Sequence, residues 1–373
     1  MNRPKILHIP QWYPNPDDIQ LGIFIQKQII ATASDCNNLV LSIIGSKNIS
    51  DISLSNDSSK GIKEIQIVYC AKGNPYKRIK SYLRALQKGL SAIADEGFYP
   101  DLVHCHIAGR NLWVAEKYFK NTPVILSEHW SGYLDGRFDS ILILKKKRRI
   151  KRINNCKQVI AVSNHLAEAI ENKGIKHKIL IVDNVIETNG IREKTNNEKF
   201  SFLMVADLVD ETKNISGVIR AFSNVLKTKP NSILDIIGDG KDKKMLYELV
   251  KDINITDSVN FIGRISQGDV LKYYKQVDCV IVNSYFETYS MVTVEAILSG
   301  VPVIATRCKG PEQFINERNG MLIEMNNIEQ LENAMISIQT KDLLPDSIAN
   351  SLSTDLSKDL VCEELLKIYK NHI

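Results

Sequence analysis

Short, unbroken apolar runs rich in β-branched residues recur along the whole chain, with helix-like segments between them. They occupy 5–9, 39–45, 65–70, 102–107, 124–127, 159–163 and 179–182 in the first half. In the second half they occupy 200–206, 233–237, 259–263, 279–283, 301–306 and 321–323. A strand wetted on one side alternates apolar and polar residues, whereas one without alternation is covered on both faces. Strands of the second kind, separated by helices, build parallel α/β sheets. At 373 residues the chain is longer than one hydrophobic core usually sustains. The strand–helix pattern also restarts after the polar, aperiodic stretch DNVIETNGIREKTNNEK. The prediction is therefore an α/β protein of two Rossmann-like, doubly wound domains. The first covers 1–184, a linker 185–198, and the second 199–355. Residues 356–373 form a terminal amphipathic helix with Leu360, Val361, Leu365 and Ile368 on one side.

Composition narrows the function classes. The 44% hydrophobic and 24% charged content is that of an ordinary soluble globular protein. A net charge of +5 is too small to imply nucleic acid by itself. The seven cysteines are scattered singly with no C-x-x-C pair, which predicts reduced thiols and neither a disulfide framework nor a zinc site. No run approaches the ~20 apolar residues of a membrane span, and the first apolar run stops at Pro10-Gln11 without a signal-peptide core. The expected location is the cytoplasm, peripheral at the inner face of the membrane.

The stretch 280–315, VIVNSYFETYSMVTVEAILSGVPVIATRCKGPEQFI, carries most of the chemistry. It reads as strand, loop, a helix over about 289–298 closed by Gly300, then a further strand. Ligands in open α/β sheets sit beyond the carboxyl ends of the strands, and the helix after the 284–289 loop aims free amides and a positive dipole end there. Glu287 and Glu295 are eight positions apart. If both were helical they would be about 12 Å apart, too far for a glycosidase pair at roughly 5–9.5 Å. That spacing suits two acids gripping different parts of one long ligand.

This segment resembles the donor-binding signature of the family 4 retaining glycosyltransferases: Glu287, seven residues, Glu295, then Ala296, Gly300, Pro302-Val303 and Ala305-Thr306. The resemblance implies the GT-B architecture, two Rossmann-like domains facing across a cleft. It implies that Glu295 binds the ribose hydroxyls of the nucleotide, that Glu287 touches the donor sugar, and that amides around Ser290, Met291 and Val292 hold the diphosphate. The segment FLMVADLVDETKNISGVIRAF places Lys213 where the family has a phosphate-binding lysine. The chain departs from many relatives in carrying Ala206-Asp207 where they have an arginine, so Asp207 is expected to point away from the diphosphate, and Arg264 is a further candidate near the nucleotide. In the first domain the resemblance assigns His129, after the strand in VILSEHWSG, to the donor sugar across the cleft, and Gly22 to a close backbone approach to the donor. His104 and His106 share one strand face and are read as mainly structural, with His106 lining the acceptor side.

No Asp-x-Asp triplet occurs, which predicts no metal and no cofactor, the diphosphate charge being met by lysine, amides and helix dipole. The stretch SILILKKKRRIKRI reads as a basic amphipathic helix, with Lys145, Lys146, Lys147, Arg148, Arg149, Lys151 and Arg152 opposite Leu142, Ile143, Ile150 and Ile153. Such a helix suits an anionic membrane surface, and the lack of interleaved aromatic residues disfavours nucleic acid. It equally suits a solvated helix packed on its domain.

The expected function is a retaining transfer of sugar from a UDP- or GDP-linked donor to a saccharide or lipid-linked acceptor, in cell-surface polysaccharide or glycan synthesis. Two alternatives remain: a GT-B sugar-nucleotide epimerase, and a non-catalytic nucleotide- or saccharide-binding module. A nicotinamide dehydrogenase is disfavoured, because the first strand runs into Pro10-Gln11-Trp12-Tyr13-Pro14 rather than a G-x-G-x-x-G turn.

Overall fold

The structure is a computed structural model that describes residues 3–193, 198–352 and 356–373. Residues 194–197 of the expected linker and 353–355 at the expected end of the second domain lie outside these. The chain divides into two compact units, Met1–Val185 with Leu356–Ile373, and Ile186–Asp355.

The first unit holds eight strands: β1 Lys5–Pro10, β2 Asn37–Ser46, β3 Ser53–Asp57, β4 Lys63–Cys70, β5 Leu102–His106, β6 Val124–Glu128, β7 Gln158–Ala161 and β8 Leu180–Ile181. They form one sheet in the order β3-β4-β2-β1-β5-β6-β7-β8, parallel except for β3. The helices are α1 Ile23–Ala31, α2 Pro75–Asp95, α3 Arg110–Tyr118, α4 Ile143–Asn154 and α5 Asn164–Glu171. Strands that are buried along most of their length, such as β5 with every residue buried, account for the unbroken apolar runs. The strand β3 is different. All five of its residues are exposed, and it pairs antiparallel on the edge of β4. SLSND has no apolar face, so nothing in its sequence marks it as a strand.

The second unit holds a six-stranded, all-parallel sheet in the order β11-β10-β9-β12-β13-β14. Its strands are β9 Phe200–Val205, β10 Ser232–Ile237, β11 Val259–Gly263, β12 Cys279–Val282, β13 Val303–Thr306 and β14 Gly320–Ile323. Its helices are α6 Asp210–Lys213, α7 Ile215–Thr228, α8 Lys243–Asp252, α9 Gln267–Tyr274, α10 Met291–Leu298, α11 Ile328–Ile338 and α12 Pro345–Ala349. The core packs Phe202, Phe222, Val218, Leu234, Ile281 and Met335 against one face of the sheet.

Both sheets are doubly wound, and each has a point where the chain reverses its direction of travel across the sheet. It lies between β1 and β5 in the first unit and between β9 and β12 in the second. Loops on either side of such a point diverge and leave a crevice at the carboxyl ends of the strands, which is where ligands of this architecture bind.

The last helix, α13 Lys358–Lys370, belongs to the first unit and packs beside α1. It buries Val361, Cys362, Leu365, Ile368 and Tyr369, and the Tyr369 hydroxyl lies 2.9 Å from His104 Nδ1. Ser357 caps its start by accepting from the Leu360 amide. No helix among the described residues is long and apolar enough to cross a membrane.

Candidate functional site

In the second unit the crevice at the switch point is built from the segments that leave β9 and β12. The chain leaves β9 through Ala206 and Asp207 and winds into the single turn α6, which ends at Lys213. Asn214 then adopts a left-handed conformation, φ 45°, and starts α7. Two contacts tie this turn to the other side of the crevice: the Tyr285 amide donates to Thr212 O at 3.0 Å, and Asn283 Nδ2 donates to Asn214 O at 3.0 Å.

Those contacts bring Lys213 to Glu287. The Lys213 ammonium donates to Glu287 Oε1 at 2.6 Å, and the Ser284 hydroxyl donates to the same oxygen at 2.7 Å. Both charged side chains are largely covered, 25% and 17% exposed, so the pair is screened less than a surface ion pair. Burial disfavours the ammonium, but Glu287 beside it outweighs burial and holds the amine above its ordinary range. A fixed cation therefore stands at the carboxyl end of the sheet at any neutral pH.

The backbone beside Glu287 is held by close approach. Glu287 bridges Lys309 in a parallel β-contact, and a Cβ added at Gly310 would lie 2.6 Å from Glu287 Cβ and 2.9 Å from Glu287 O. We expect Gly310→Ala to displace Glu287, to cost about 1–3 kcal/mol of stability, and to weaken nucleotide binding in parallel. A urea unfolding midpoint and a nucleotide titration check this; an unshifted midpoint would show that the loop accommodates the methyl group.

Helix α10 begins at Met291, two residues later than the sequence reading placed it. Its N-cap, Ser290, is left-handed at φ 74°, an uncommon conformation for a residue with a Cβ. The Ser290 and Thr293 hydroxyls lie 2.7 Å apart and fix this turn. The amides of Thr293 and Val294 bond back to Ser290 O. Those of Met291 and Val292 have no intrahelical acceptor and form the positive end of the helix. Further along α10, Glu295 is 4% exposed, accepting from Gln267 Nε2 at 2.8 Å and from the Tyr274 hydroxyl at 3.2 Å. Burial first and Glu295 second hold the Tyr274 phenol well above its ordinary range, so it stays a donor. Neither Gln267 nor Tyr274 was legible as a site residue, since both sit on α9 and meet Glu295 only through packing. Glu287 lies outside the helix, so the rise-per-residue estimate for the two acids does not apply, and they are engaged with separate partners.

Asp207 and Arg264 are paired. Arg264 Nη2 lies 3.3 Å from Asp207 Oδ1 where the chain leaves β9 and β11, and Asp207 is 72% exposed. Asp207 is thus neutralised in part by an arginine that follows β11, two strands away in the sheet.

In the first unit Gly22 is left-handed, φ 68°, at the start of α1, and a Cβ there would lie 2.6 Å from Trp12 O. Only glycine fits this turn without displacing the loop after β1. Two residues on, Phe24 packs at 4.8 Å from the His129 ring. His129 is buried, neither of its ring nitrogens has a hydrogen-bond partner among the described residues, and burial pushes the imidazole down to about 3. Next to it Glu128 is fully buried and accepts at Oε1 from the Ala108 amide at 2.9 Å and the Tyr133 hydroxyl at 2.8 Å.

His104 and His106 have a third partner that the sequence reading missed, His8 on β1. The three rings are fully buried, with ligand-capable nitrogens within 4.8 Å of one another. Five of their six nitrogens are already engaged. His8 Nδ1 faces His106 Nε2 at 3.1 Å, His8 Nε2 faces Asn38 at 3.2 Å, and His104 bridges Tyr369 and Ser127 at 2.9 and 2.8 Å. The set is a hydrogen-bonded core of neutral imidazoles. Burial places His106 inside this core rather than on an open acceptor face.

The basic segment forms α4, but its apolar residues do not act as one packed face. Ile153 is buried, whereas Leu142, Ile143 and Leu144 are 68%, 68% and 70% exposed. The reason is the helix start: Ile143 is its first residue, so Leu142–Leu144 project from its N-terminal end beyond the seam that Ile153 fills. Arg149 alone of the seven cations turns inward over aromatic rings, 4.5 Å from Trp130 and 5.7 Å from Phe138, and 3.9 Å from Glu128.

Two family models together match residues 52–351: glycosyltransferase family 4 over 52–189, and glycosyl transferases group 1 over 185–351. The chain belongs to the GT-B glycosyltransferases of the family 4 type. An uncharacterised glycosyltransferase of Methanocaldococcus jannaschii is 29% identical over 243 residues, 58% of each protein. The family 4 chain thus spans less than two thirds of that relative's length. The α-monoglucosyldiacylglycerol synthase of Acholeplasma laidlawii is 31% identical over 144 residues, 38% of this chain and 35% of the relative. Among solved structures, Anabaena HepE in complex with UDP and glucose superposes with a TM-score of 0.76 at 14% identity, over 99% of this chain and all of the other, which shows a shared fold.

Proposed function

We propose that this family 4 chain is a retaining, metal-independent glycosyltransferase that moves a sugar from a UDP- or GDP-linked donor to a saccharide or lipid-linked saccharide acceptor. The observation that carries this reading is the Lys213–Glu287 pair at the switch-point crevice, set beside the free amide end of α10. When the bond between the anomeric carbon and the diphosphate breaks, the leaving oxygen gains charge. A preorganised cation and a helix N-terminus aimed at that oxygen stabilise it most at that moment. Glu295, held by Gln267 and Tyr274, presents acceptor-only oxygens suited to two vicinal ribose hydroxyls. Glu287 is engaged by Lys213 and Ser284, which suits a positioning group on the sugar better than a covalent nucleophile. Retention then follows by front-face attack, with the leaving phosphate taking the acceptor's proton. HepE, solved with UDP and glucose, supports a nucleotide-sugar donor. The A. laidlawii relative's name, a diacylglycerol glycolipid synthase, supports a lipid-linked acceptor and glycan assembly at a membrane. The cations of α4 and exposed Leu142–Leu144 support peripheral attachment to an anionic surface.

Calorimetry with UDP and GDP in EDTA tests the donor site. One nucleotide is expected to bind without metal, and Glu295→Ala to weaken it by about ten- to a hundredfold through the loss of charge-assisted ribose contacts. Unchanged affinity in the variant would remove Glu295 from the site. Binding that appears only when a divalent cation is added would refute metal independence.

A further inference from the structure

Helices α3 and α4 of the first unit flank an open pocket of about 370 Å³ that none of the donor-site chemistry uses. Four cations line it: Arg110, the first residue of α3, and Lys145, Arg149 and Arg152 from α4. No carboxylate is among its lining residues, and its walls are otherwise apolar, chiefly Leu112 and Trp113. Two of the charges are partly met nearby, Arg152 by Glu116 at 3.1 Å and Arg149 by buried Glu128 at 3.9 Å. Arg110 and Lys145 have no carboxylate partner among the described residues. Arg110 instead lies 4.7 Å over the Tyr82 ring with Nη1 at 3.4 Å from the Tyr69 hydroxyl. The pocket thus holds an excess of fixed positive charge against an apolar wall.

Two neighbours give the pocket a direction. On one side a cavity of about 340 Å³ shares Leu112 and Arg152 and continues over Phe119 and Pro123, with Glu116, Lys120 and Lys157 also lining it. On the other, Arg110 also lines a small cavity at the β1–β5 switch point, together with Gln11 and Tyr69. Leu142–Leu144 stand exposed at the start of α4. A cationic pocket that shares residues with a sheet crevice on one side and, on the other, with a groove of mixed lining that includes Leu112, Phe119 and Pro123 fits a ligand with an anionic head and an apolar chain.

We propose that the α3–α4 pocket binds the phosphoryl group of the acceptor, a phosphate or diphosphate ester of an apolar alcohol, with its chain over Leu112, Phe119 and Pro123 of the adjoining groove. This rests on reading the chain as a glycosyltransferase with a lipid-linked acceptor, and it assigns that acceptor's charged group to Arg110, Lys145 and Arg152. Arginine forks and a lysine point charge match phosphate oxygens, and the apolar wall adds affinity only when a chain is attached.

The test is equilibrium binding of farnesyl phosphate, farnesol and inorganic phosphate to the full chain, with UDP and GDP binding measured alongside. Farnesyl phosphate is expected to bind more tightly than either fragment by about tenfold or more. The double variant Arg110→Gln/Arg152→Gln should lose about tenfold or more of that affinity. Lys147→Gln/Lys151→Gln, on exposed α4 positions outside the pocket lining, removes the same charge and should leave it within about twofold. Equal weakening by both double variants, or inorganic phosphate binding as tightly as the ester, would overturn the pocket in favour of a general basic field. Farnesol binding as tightly as the ester would overturn the phosphoryl assignment. Affinity for whichever of UDP and GDP binds should be the same in both double variants and the wild type. Binding of neither nucleotide by the wild type would instead refute the donor-site reading, whatever farnesyl phosphate does.

Discussion

Replacing Lys213 with alanine should lower the turnover of donor by about 10²- to 10³-fold while weakening nucleoside diphosphate binding by only about tenfold. The split follows from charge. The bound donor already carries a diphosphate, so Lys213 contributes to ground-state affinity. The leaving group gains a further negative charge as the glycosidic bond breaks, so the same ammonium contributes more to the transition state. The donor's slow hydrolysis, followed as release of nucleoside diphosphate, gives kcat without knowledge of the acceptor. Equal losses in binding and in kcat would mean that Lys213 holds the donor without acting on the leaving oxygen. Lys213→Ala also strips the counter-ion from Glu287, whose side chain is only 17% exposed, and an uncompensated, partly buried charge is destabilising. The double variant Lys213→Ala/Glu287→Gln removes that penalty. It should recover stability, and it should not recover turnover.

The pair behind this prediction shows what could be read from the sequence. Glu287, Ser290 to Val292 and Glu295 are legible because a strand, a loop and one helix place them in a single contiguous segment, where local spacing and local geometry coincide. Lys213 was legible only through the family resemblance, from its place after the first strand of the second domain. Its contact with Glu287 spans 74 positions and depends on β9 and β12 being neighbours at the switch point, a fact of topology. Gln267 and Tyr274 were invisible for the same reason. The edge strand β3 was missed because pairing to β4, and no burial of its own, makes it a strand. The exposed Leu142–Leu144 and the inward Arg149 invert what amphipathic spacing alone implies. Spacing says which residues share a side of a helix. It does not say how much of that side the domain covers.

His8 illustrates the same limit and leads to the second large effect. Acidification from pH 7 towards 4 should destabilise the first unit by several kcal/mol. His8, His104, His106 and His129 are all buried. Burial pushes His8 down to about 4 and His129 to about 3, and it holds His104 and His106 well below their ordinary range, with neighbouring imidazoles adding to the shift. The sign follows from proton counting. Below about 6.5 the unfolded chain takes up protons on these rings, while the folded chain refuses them until the lower folded values are reached. Stability is therefore fully present above about 6.5 and is lost as pH falls through the window down to 4 and below. Each refused proton costs up to about 1.4 kcal/mol per pH unit, so four rings make an appreciable fraction of a domain's total of roughly 5–15 kcal/mol. Glu128 works the other way. Burial, opposed by Arg149, raises its carboxyl, so it gains stability as pH falls, as does partly buried Glu364 on α13, but these are two carboxyls against four rings. The exposed carboxylates with lowered values, such as Asp57 and Asp139, act below about 4 and leave this window to the histidines. Urea midpoints between pH 7.5 and 4.5 give the slope, and His8→Gln should reduce it by about one proton. A slope unchanged by that substitution, or stability flat across the window, would mean that the buried rings take up protons in the folded chain, and the neutral histidine core would have to be abandoned.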